Sequence, residues 1–414
     1  MTFQTFTARD YLKIDIANNF GKPDGQAKKL DKCNWDERIA WFNANEKLLP
    51  SMVSKAEERP LFFAGLNAWK DAETGVASGY PISLDGCSSG LQILSCITGD
   101  RMGASICGVI DTGSREDAYE RVFQHMMAAL GDSITVDPKA VKKAVMTSLY
   151  GSTKQPEKAF GVGPVLDQFY RSVAELAPYV WALNEYLLEV WDSNREIYSW
   201  VMPDNFHSHN KVRTKVYDKF KFAGNQYQTE RWVVGPKERG RSLCANITHS
   251  LDALGVREIV ASCTMSQERK LELTKITMYS QHEDACDASQ ATTENEAMVA
   301  SLWKNYLMSG YLSVRILEYV DDSSVYFADR AALIELLDQL PKQSFHVLCI
   351  HDCFRVLPRY GNDIRKQYNL FLSKLAKSRM LEYLMTQVLL EPFTYEHPEP
   401  EMWREILDAN YSLA

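Results

Sequence analysis

Pro81-Ile-Ser-Leu-Asp85-Gly-Cys-Ser-Ser-Gly90-Leu-Gln92 joins a short apolar run to an aspartate and a turn rich in glycine and serine. Its first residues are apolar, and the Thr74–Leu84 segment leads into them as a turn, which predicts a buried strand ending at Asp85. A second stretch, Phe345-His-Val-Leu-Cys-Ile350-His351-Asp352, has the same form: an apolar strand that breaks at an aspartate. Two carboxylates from adjacent strand ends can hold a pair of Mg²⁺ ions without a full protein cage. Ions about 3.5–4 Å apart would activate an attacking hydroxyl and stabilise a leaving pyrophosphate. Taken singly, each aspartate reads as the cap of a strand or turn.

Outward from these strands, composition narrows the classes. The 414 residues carry 46 Lys+Arg against 54 Asp+Glu, a formal charge of −8, with 45% hydrophobic and 11% aromatic residues. That excludes disorder and fibrous repeats and predicts two or three packed lobes. No apolar run approaches membrane-spanning length, and Met1-Thr2-Phe3-Gln4-Thr5 lacks a signal-peptide pattern, so a soluble protein of the cytoplasm is expected. Nine cysteines, odd in number and without a CxxC pair, argue against a zinc site or a disulfide framework and for a reducing compartment. An acidic balance does not announce a nucleic-acid binder, yet Lys28, Lys29, Lys32, then Lys139, Lys142, Lys143, then 211–241 are local basic clusters.

Apolar spacing predicts a helix over 35–56, amphipathic helices over 115–131 and 139–150, and a long helical region over 165–192. Asp137-Pro138 supplies an N-cap and a first-turn proline for the second of these. Short strands with aromatics among basic residues fill 196–245. A helix is expected over 246–261, a mixed segment without repeats over 265–340, and a mostly helical tail over 362–414. In Lys139-Ala-Val-Lys142-Lys143-Ala-Val-Met-Thr147-Ser-Leu-Tyr150-Gly151, Tyr150 falls eight residues after Lys142, two turns along one face. Lysines to neutralise a triphosphate and a tyrosine to meet a sugar make this a nucleotide-delivery helix; alone, it reads equally as a solvated basic helix with a core tyrosine.

Together and in this order, Asp85-Gly86 to Gln92, Lys142-Lys143 to Tyr150-Gly151, and Ile350-His351-Asp352-Cys-Phe354 resemble motifs A, B and C of the single-subunit phage and mitochondrial RNA polymerases. Asp31-Lys32 with Asp36-Glu-Arg38, Pro203-Asp204-Asn205-Phe206, His249-Ser-Leu-Asp252 at the start of a helix, and Trp403-Arg-Glu-Ile-Leu-Asp with Tyr411-Ser-Leu-Ala414 resemble further segments of that family. The resemblance covers nearly all of 1–262 and 343–414. It implies an α+β fold with an antiparallel palm sheet and mostly helical fingers. The palm would span 1–105 with motif A and 249–414 with motif C, the fingers 106–248 with motif B, and the C-terminal foot the end of the chain.

The same resemblance implies that Asp85 and Asp352 bind two Mg²⁺ ions, with the Gly86 carbonyl as a further ligand. Lys32, Lys142 and Lys143 would bind the triphosphate, Tyr150 would check the ribose and close the site, and His249 would contact the nascent base pair. Between structural support and function, His351 stays open. Related DNA polymerases carry a glutamate five residues after the motif A aspartate, where Gly90 stands here and leaves room for a 2′-hydroxyl. The Tyr150 phenol offers that hydroxyl a partner. The expected activity is DNA-templated RNA synthesis from ribonucleoside triphosphates in a phage-infected bacterial host, away from membranes.

Three departures shape the reading. Pro138 stands where the family has an arginine four residues before the motif B lysine, so Lys139 takes over or fewer cations hold the triphosphate. Between His249 and Asp352 lie 102 residues, which marks about 265–340 as an insertion for a partner or DNA. The N-terminal domain, thumb and first palm strands are missing, and a palm without them exposes an edge. A second, smaller polymerase subunit is therefore expected to supply them, with this chain as the catalytic subunit of a split enzyme. The alternatives are a DNA polymerase, a reverse transcriptase centred on Tyr319-Val320-Asp321-Asp322 with Ser-Ser-Val-Tyr-Phe completing a hairpin, and an inactive nucleic-acid-binding scaffold. Gly235-Pro-Lys-Glu-Arg-Gly240-Arg241-Ser242 approaches a phosphate loop but reads better as a basic hairpin. His207 and His209 lack a third ligand, and the aromatics of 213–232 suit base stacking and core packing equally.

Overall fold

The computed structural model describes residues 2–131, 134–192, 194–211, 213–234, 241–279 and 286–414. Alternation of burial makes Ile82–Asp85 a strand, β1, with Ile82 and Leu84 inward and Asp85 at its open end. Four further strands, Ile197–Val201 (β2), His207–Lys211 (β3), Arg213–Phe222 (β4) and Asn225–Val234 (β5), form two separate antiparallel pairs, β2 with β3 and β4 with β5. Leu348–Ile350 (β6) and Cys353–Val356 (β7) form a hairpin, and β7 lies between β6 and β1 in one antiparallel sheet. All the sheets are small and antiparallel and most of the chain is helical, so the fold is α+β.

The largest core is built around the helix Ser89–Thr98, all ten residues of which are buried. Leu91, Ile93, Leu94 and Ile97 meet Val180, Leu251, Leu372 and Leu384 there, so one core joins parts of the chain nearly 300 residues apart. A second cluster, from Leu273 to Leu340, has its own interior around Ile316 and Leu317, and a third gathers Ile16, Phe20, Phe42 and Phe62. The second cluster is clasped to the rest at the Pro203–Phe206 turn. Asp204 there is buried, paired with Arg257 at 2.5 Å, and its carbonyl accepts from Arg315 Nη1 at 2.8 Å. Among the described residues, no helix is long and apolar enough to cross a membrane.

The expected helix over 35–56 stops at Asn45 and resumes as a 3₁₀ segment, Leu49–Lys55. Pro50 fits the break, because it has no N–H to continue the α-helix and its ring clashes with the carbonyl four residues earlier, whereas it is tolerated in the first turn of the 3₁₀ segment. Likewise 165–192 is two helices, Pro164–Leu176 and Pro178–Glu189, broken where Ala177 takes an extended φ of −147° before Pro178. The helix expected from 246 begins earlier, at Arg241, so the His249–Asp252 motif sits inside it rather than at its start. The strand expected from Phe345 begins only at Leu348. Phe345 is tied elsewhere, its N–H donating to the Cys263 carbonyl at 2.8 Å and its ring stacked on Tyr360 at 4.4 Å.

One buried carboxyl fixes β1. Asp15 accepts from the Ser83 N–H at 2.8 Å, the Tyr80 hydroxyl at 2.7 Å and Asn19 Nδ2 at 2.9 Å. Burial dominates these bonds and pushes its pKa from 3.8 to about 6. The folded protein thus keeps this proton where the unfolded chain has released it, and its stability falls as pH rises through that window. Relative to Asp15→Asn, wild type should lose up to about 3 kcal/mol between about pH 4 and about pH 7. Denaturant unfolding of both proteins checks this; a pH-independent difference would refute it.

Candidate active site

The two aspartates singled out in the sequence meet. β1 and β7 pair with Asp85 opposite Cys353, and the Gly86 N–H donates to the Asp352 carbonyl at 3.2 Å. Asp352 itself closes the two-residue turn between β6 and β7, where His351 takes a positive φ of 56°. Burial, and then the charge of Asp352, pushes Asp85 from 3.8 to about 6, with Lys32 and Arg115 pulling the other way. A Cβ on Gly86 would lie 3.5 Å from Asp352 Oδ2 and 3.0 Å from the Tyr368 hydroxyl, so this corner has no room for a larger residue. The chain end joins the same strand: the Ala414 N–H donates to the Asp85 carbonyl at 2.9 Å.

A carboxylate whose proton affinity is raised by burial and by a second carboxylate beside it is a site a cation would relax. The Gly86 carbonyl accepts the Ser88 N–H at 3.0 Å and keeps a second lone pair. These hard oxygen donors suit Mg²⁺. Among the described residues no group of three His, Cys, Asp or Glu side chains gathers as a metal cage, so any remaining ligands would come from substrate or water.

Lysines approach from two directions. Lys32 ends a 3₁₀ turn, Leu30–Lys32, whose backbone is held by Arg38: the buried guanidinium donates to the carbonyls of Asp31 and Cys33, each at 3.0 Å. Its Nζ lies 3.2 Å from Asp117. Lys142 stands on the helix Pro138–Ser148, capped by Asp137 and opened by Pro138 as expected, with Nζ 5.2 Å from the Tyr119 ring centre. The Tyr119 hydroxyl in turn reaches Ser88 Oγ at 3.3 Å. Lys143 and Lys139 are exposed on the same helix.

Tyr150 does not continue that helix. It follows its end at Ser148, which frees the ring to stack on His249 with centres 5.3 Å apart and planes at 12°. Its hydroxyl rests on Gly90, where an added Cβ would lie only 2.6 Å away. Together Gly90, Tyr119, Tyr150, His249, Asp252 and Asp352 line a cavity of about 450 Å³. Of the residues singled out in the sequence, Gly90, Tyr150, His249 and Asp352 thus line one cleft, while Asp85, Gly86, Lys32, Lys142 and Lys143 are not part of its lining.

Residues 6–202 match the DNA-dependent RNA polymerase family model. That match takes in 197 residues of the chain, a little under half of it. It is also 26% identical over 178 residues to a DNA-directed RNA polymerase of Pseudomonas phage phiKMV, an alignment taking in 34% of this chain and 21% of that relative. The chain therefore covers about a fifth of that relative's length. The span assigned to the polymerase family holds Lys32, Asp85, Gly90, Lys142 and Tyr150. His249 and Asp352 lie beyond it, and it is the sheet and the ring stack that bring them to the same cleft.

Three cleft groups had been given no role from sequence. Asp252, quoted only as part of its motif, is pushed to about 6 by burial and faces Asp352 and Tyr150. Tyr119 and Arg115 gave no local signal; Arg115 lies in the loop before the helix Ala118–Leu130 and Tyr119 in that helix's first turn. The rival centre dissolves: Tyr319 ends a helix, Ser324–Phe327 is 3₁₀ rather than half a hairpin, and Asp321 accepts from the N–H groups of Ser323 and Ser324 and from Asn295. Those bonds hold its carboxylate well below the usual range, which is how a turn cap behaves. His209 faces Ser199 at 3.0 Å, and residues 235–240 of the glycine-rich candidate lie outside the described residues. Core packing fails for the aromatics of β4 and β5: Tyr217, Phe220, Phe222, Tyr227 and Trp232 are all exposed.

Proposed function

We propose that this chain is the catalytic subunit of a phage-type enzyme that extends RNA on a DNA template from ribonucleoside triphosphates. The observation that supports it is that Tyr150 and Asp352 line one cleft, with Asp85 on the strand paired beside Asp352 and Lys142 over the cleft residue Tyr119, in a chain whose residues 6–202 match the polymerase family model. In this reading the palm comprises 1–105 and 249–414 around the β1–β7–β6 sheet, and the fingers 106–248. The cluster Leu273–Leu340 is an insertion at about 265–340 with its own core.

Mg²⁺ ions bound at Asp85, Asp352 and the Gly86 carbonyl would supply charge neutralisation for the attacking 3′-hydroxyl and the leaving pyrophosphate. The protein's own share is positioning and electrostatics, since phosphoryl transfer asks little covalent help. Lys32, Lys142 and Lys143 offset the triphosphate charge. Burial keeps the Tyr150 phenol neutral, able to donate to a ribose 2′-oxygen, and His249 holds its ring flat behind it. Gly90, without a side chain, leaves room for the Tyr150 hydroxyl that would meet the 2′-hydroxyl.

The β4–β5 ribbon supports a nucleic-acid contact. Its strands carry five cations and two anions, from Arg213 to Arg231. One face presents Lys215, Tyr217, Lys219 and Lys221 with Trp232 opposite Lys215. Lys215 is paired with Glu230, while among the described residues Lys219 and Lys221 have no ion pair. Replacing both by Ala should reduce the salt slope of DNA binding by about two, and Trp232→Ala should cost about 1–3 kcal/mol per stacked base. Salt titration of template binding reads both; an unchanged slope removes the ribbon from the interface. A second polypeptide fits the edge strand β6, where Leu348 and Ile350 are 59% and 58% exposed.

Primed-template extension in Mg²⁺ tests the whole proposal, with ribonucleotides against deoxyribonucleotides and with and without any copurifying polypeptide. Template-dependent ribonucleotide addition is expected, strengthened by the copurifying chain. Absence of addition under every combination would overturn it.

A further inference from the structure

The expected arginine of the motif B region is missing at Pro138, and the lysines that remain near Asp85 are partly engaged. Lys32 is neutralised by Asp117 at 3.2 Å, and Lys142 lies over the Tyr119 ring. A third cation enters from the loop that precedes the helix Ala118–Leu130. We infer that Arg115 is a further polyphosphate-binding residue, supplying to the incoming nucleotide's triphosphate the charge that Pro138 does not. This rests on the polymerase reading above.

The loop is aimed by its neighbours. The Arg115 N–H donates to Asn34 Oδ1 at 2.7 Å, which ties it beside the Lys32 turn. Two residues on, Asp117 caps the following helix and holds Lys32; two further, Tyr119 carries Lys142 and reaches Ser88. Arg115 and Asp117 thus adjoin Tyr119, which lines the cleft, and this short segment carries contacts to both lysine groups. Arg115 is half-buried, and its Nη1 donates to the Glu116 carbonyl. Its Nε is buried without an acceptor, and among the described residues the guanidinium has no carboxylate partner. Withdrawing a cationic donor from water without an acceptor is costly, and an arriving anion would remove that cost. A guanidinium fork suits phosphate oxygens better than a point charge does.

The alternative anion is a phosphodiester of primer or template, and the experiment separates the two. Single-nucleotide addition, inhibition by inorganic tripolyphosphate, and primer–template affinity are measured for wild type, Arg115→Met and Arg115→Lys, each with any copurifying chain. In Arg115→Met, KM for ribonucleotide and the tripolyphosphate inhibition constant should both rise about 10–100-fold, with Arg115→Lys between. Primer–template affinity should hold. Unchanged tripolyphosphate inhibition overturns the inference, whether accompanied by a fall in kcat alone, as from a structural disturbance, or by weaker primer–template binding, which assigns Arg115 to the nucleic-acid backbone. A wild-type protein that adds no nucleotide sinks the polymerase reading and this inference with it; a wild type that adds nucleotides beside an indifferent Arg115→Met sinks this inference alone.

Discussion

Asp352→Asn, made alone, should lower template-dependent ribonucleotide addition by about 10³-fold or more while the protein folds normally, and Asp85→Asn should do the same. The size follows from what each carboxylate is proposed to hold: bound metal contributes several kcal/mol of transition-state charge stabilisation, and each 1.36 kcal/mol is tenfold in rate. The preserved fold follows from the surroundings. Asp352 takes part in the sheet through its backbone carbonyl, and the chief charged neighbour of Asp85 is Asp352 itself. Neutralising either removes a like-charge repulsion, so thermal stability should be unchanged or slightly higher. Activity and stability thus move in opposite directions, which a misfolded variant could not imitate. Extension assays beside thermal unfolding decide it, and turnover retained in either variant removes that carboxylate from the proposed centre.

What was legible in the sequence was local or strongly ordered. β1 could be read because Ile82 and Leu84 alternate with Ser83, and the helix Pro138–Ser148 because Asp137 and Pro138 announce its start. The meeting of Asp85 with Asp352 was legible because both apolar runs deliver an aspartate at the same end. Groups brought in by long-range packing were not. Arg115 owes its position to Asn34, eighty-one residues away, and Asp252 faces the cleft because its helix packs on Ser89–Thr98. The helix Ala8–Phe20 escaped for another reason: it buries Asp15 and Asn19 beside Tyr11, Ile14 and Ile16, so no clean apolar stripe marks it. Tyr150 was read as the end of the helix, since nothing local says that the helix stops at Ser148 and lets the ring turn to His249.

That turned ring makes Gly90 the most sensitive position in the proposed sugar pocket. An added Cβ would stand 2.6 Å from the Tyr150 hydroxyl and 3.1 Å from its Cζ, well inside contact distance. Tyr150 cannot simply swing aside, because its ring is stacked on His249 at 5.3 Å. Gly90→Ala should therefore displace the phenol and misplace the ribose, and a misplacement of about 1 Å can cost 10²-fold in rate. The damage should be specific to the hydroxyl contact. Tyr150→Phe alone should keep most activity and relax the preference for ribose over deoxyribose, since the phenolic partner of the 2′-hydroxyl is gone. Combined, Gly90→Ala with Tyr150→Phe removes the atom at 2.6 Å and leaves the 3.1 Å approach to Cζ, which a few tenths of an ångström relieves. The double variant should add nucleotides faster than Gly90→Ala while staying unselective for sugar. Single-turnover addition of paired ribo- and deoxyribonucleotides across the four proteins measures the coupling. Strictly additive effects would show that the Gly90–Tyr150 contact does not govern the sugar, because groups in direct contact must interact in such a cycle.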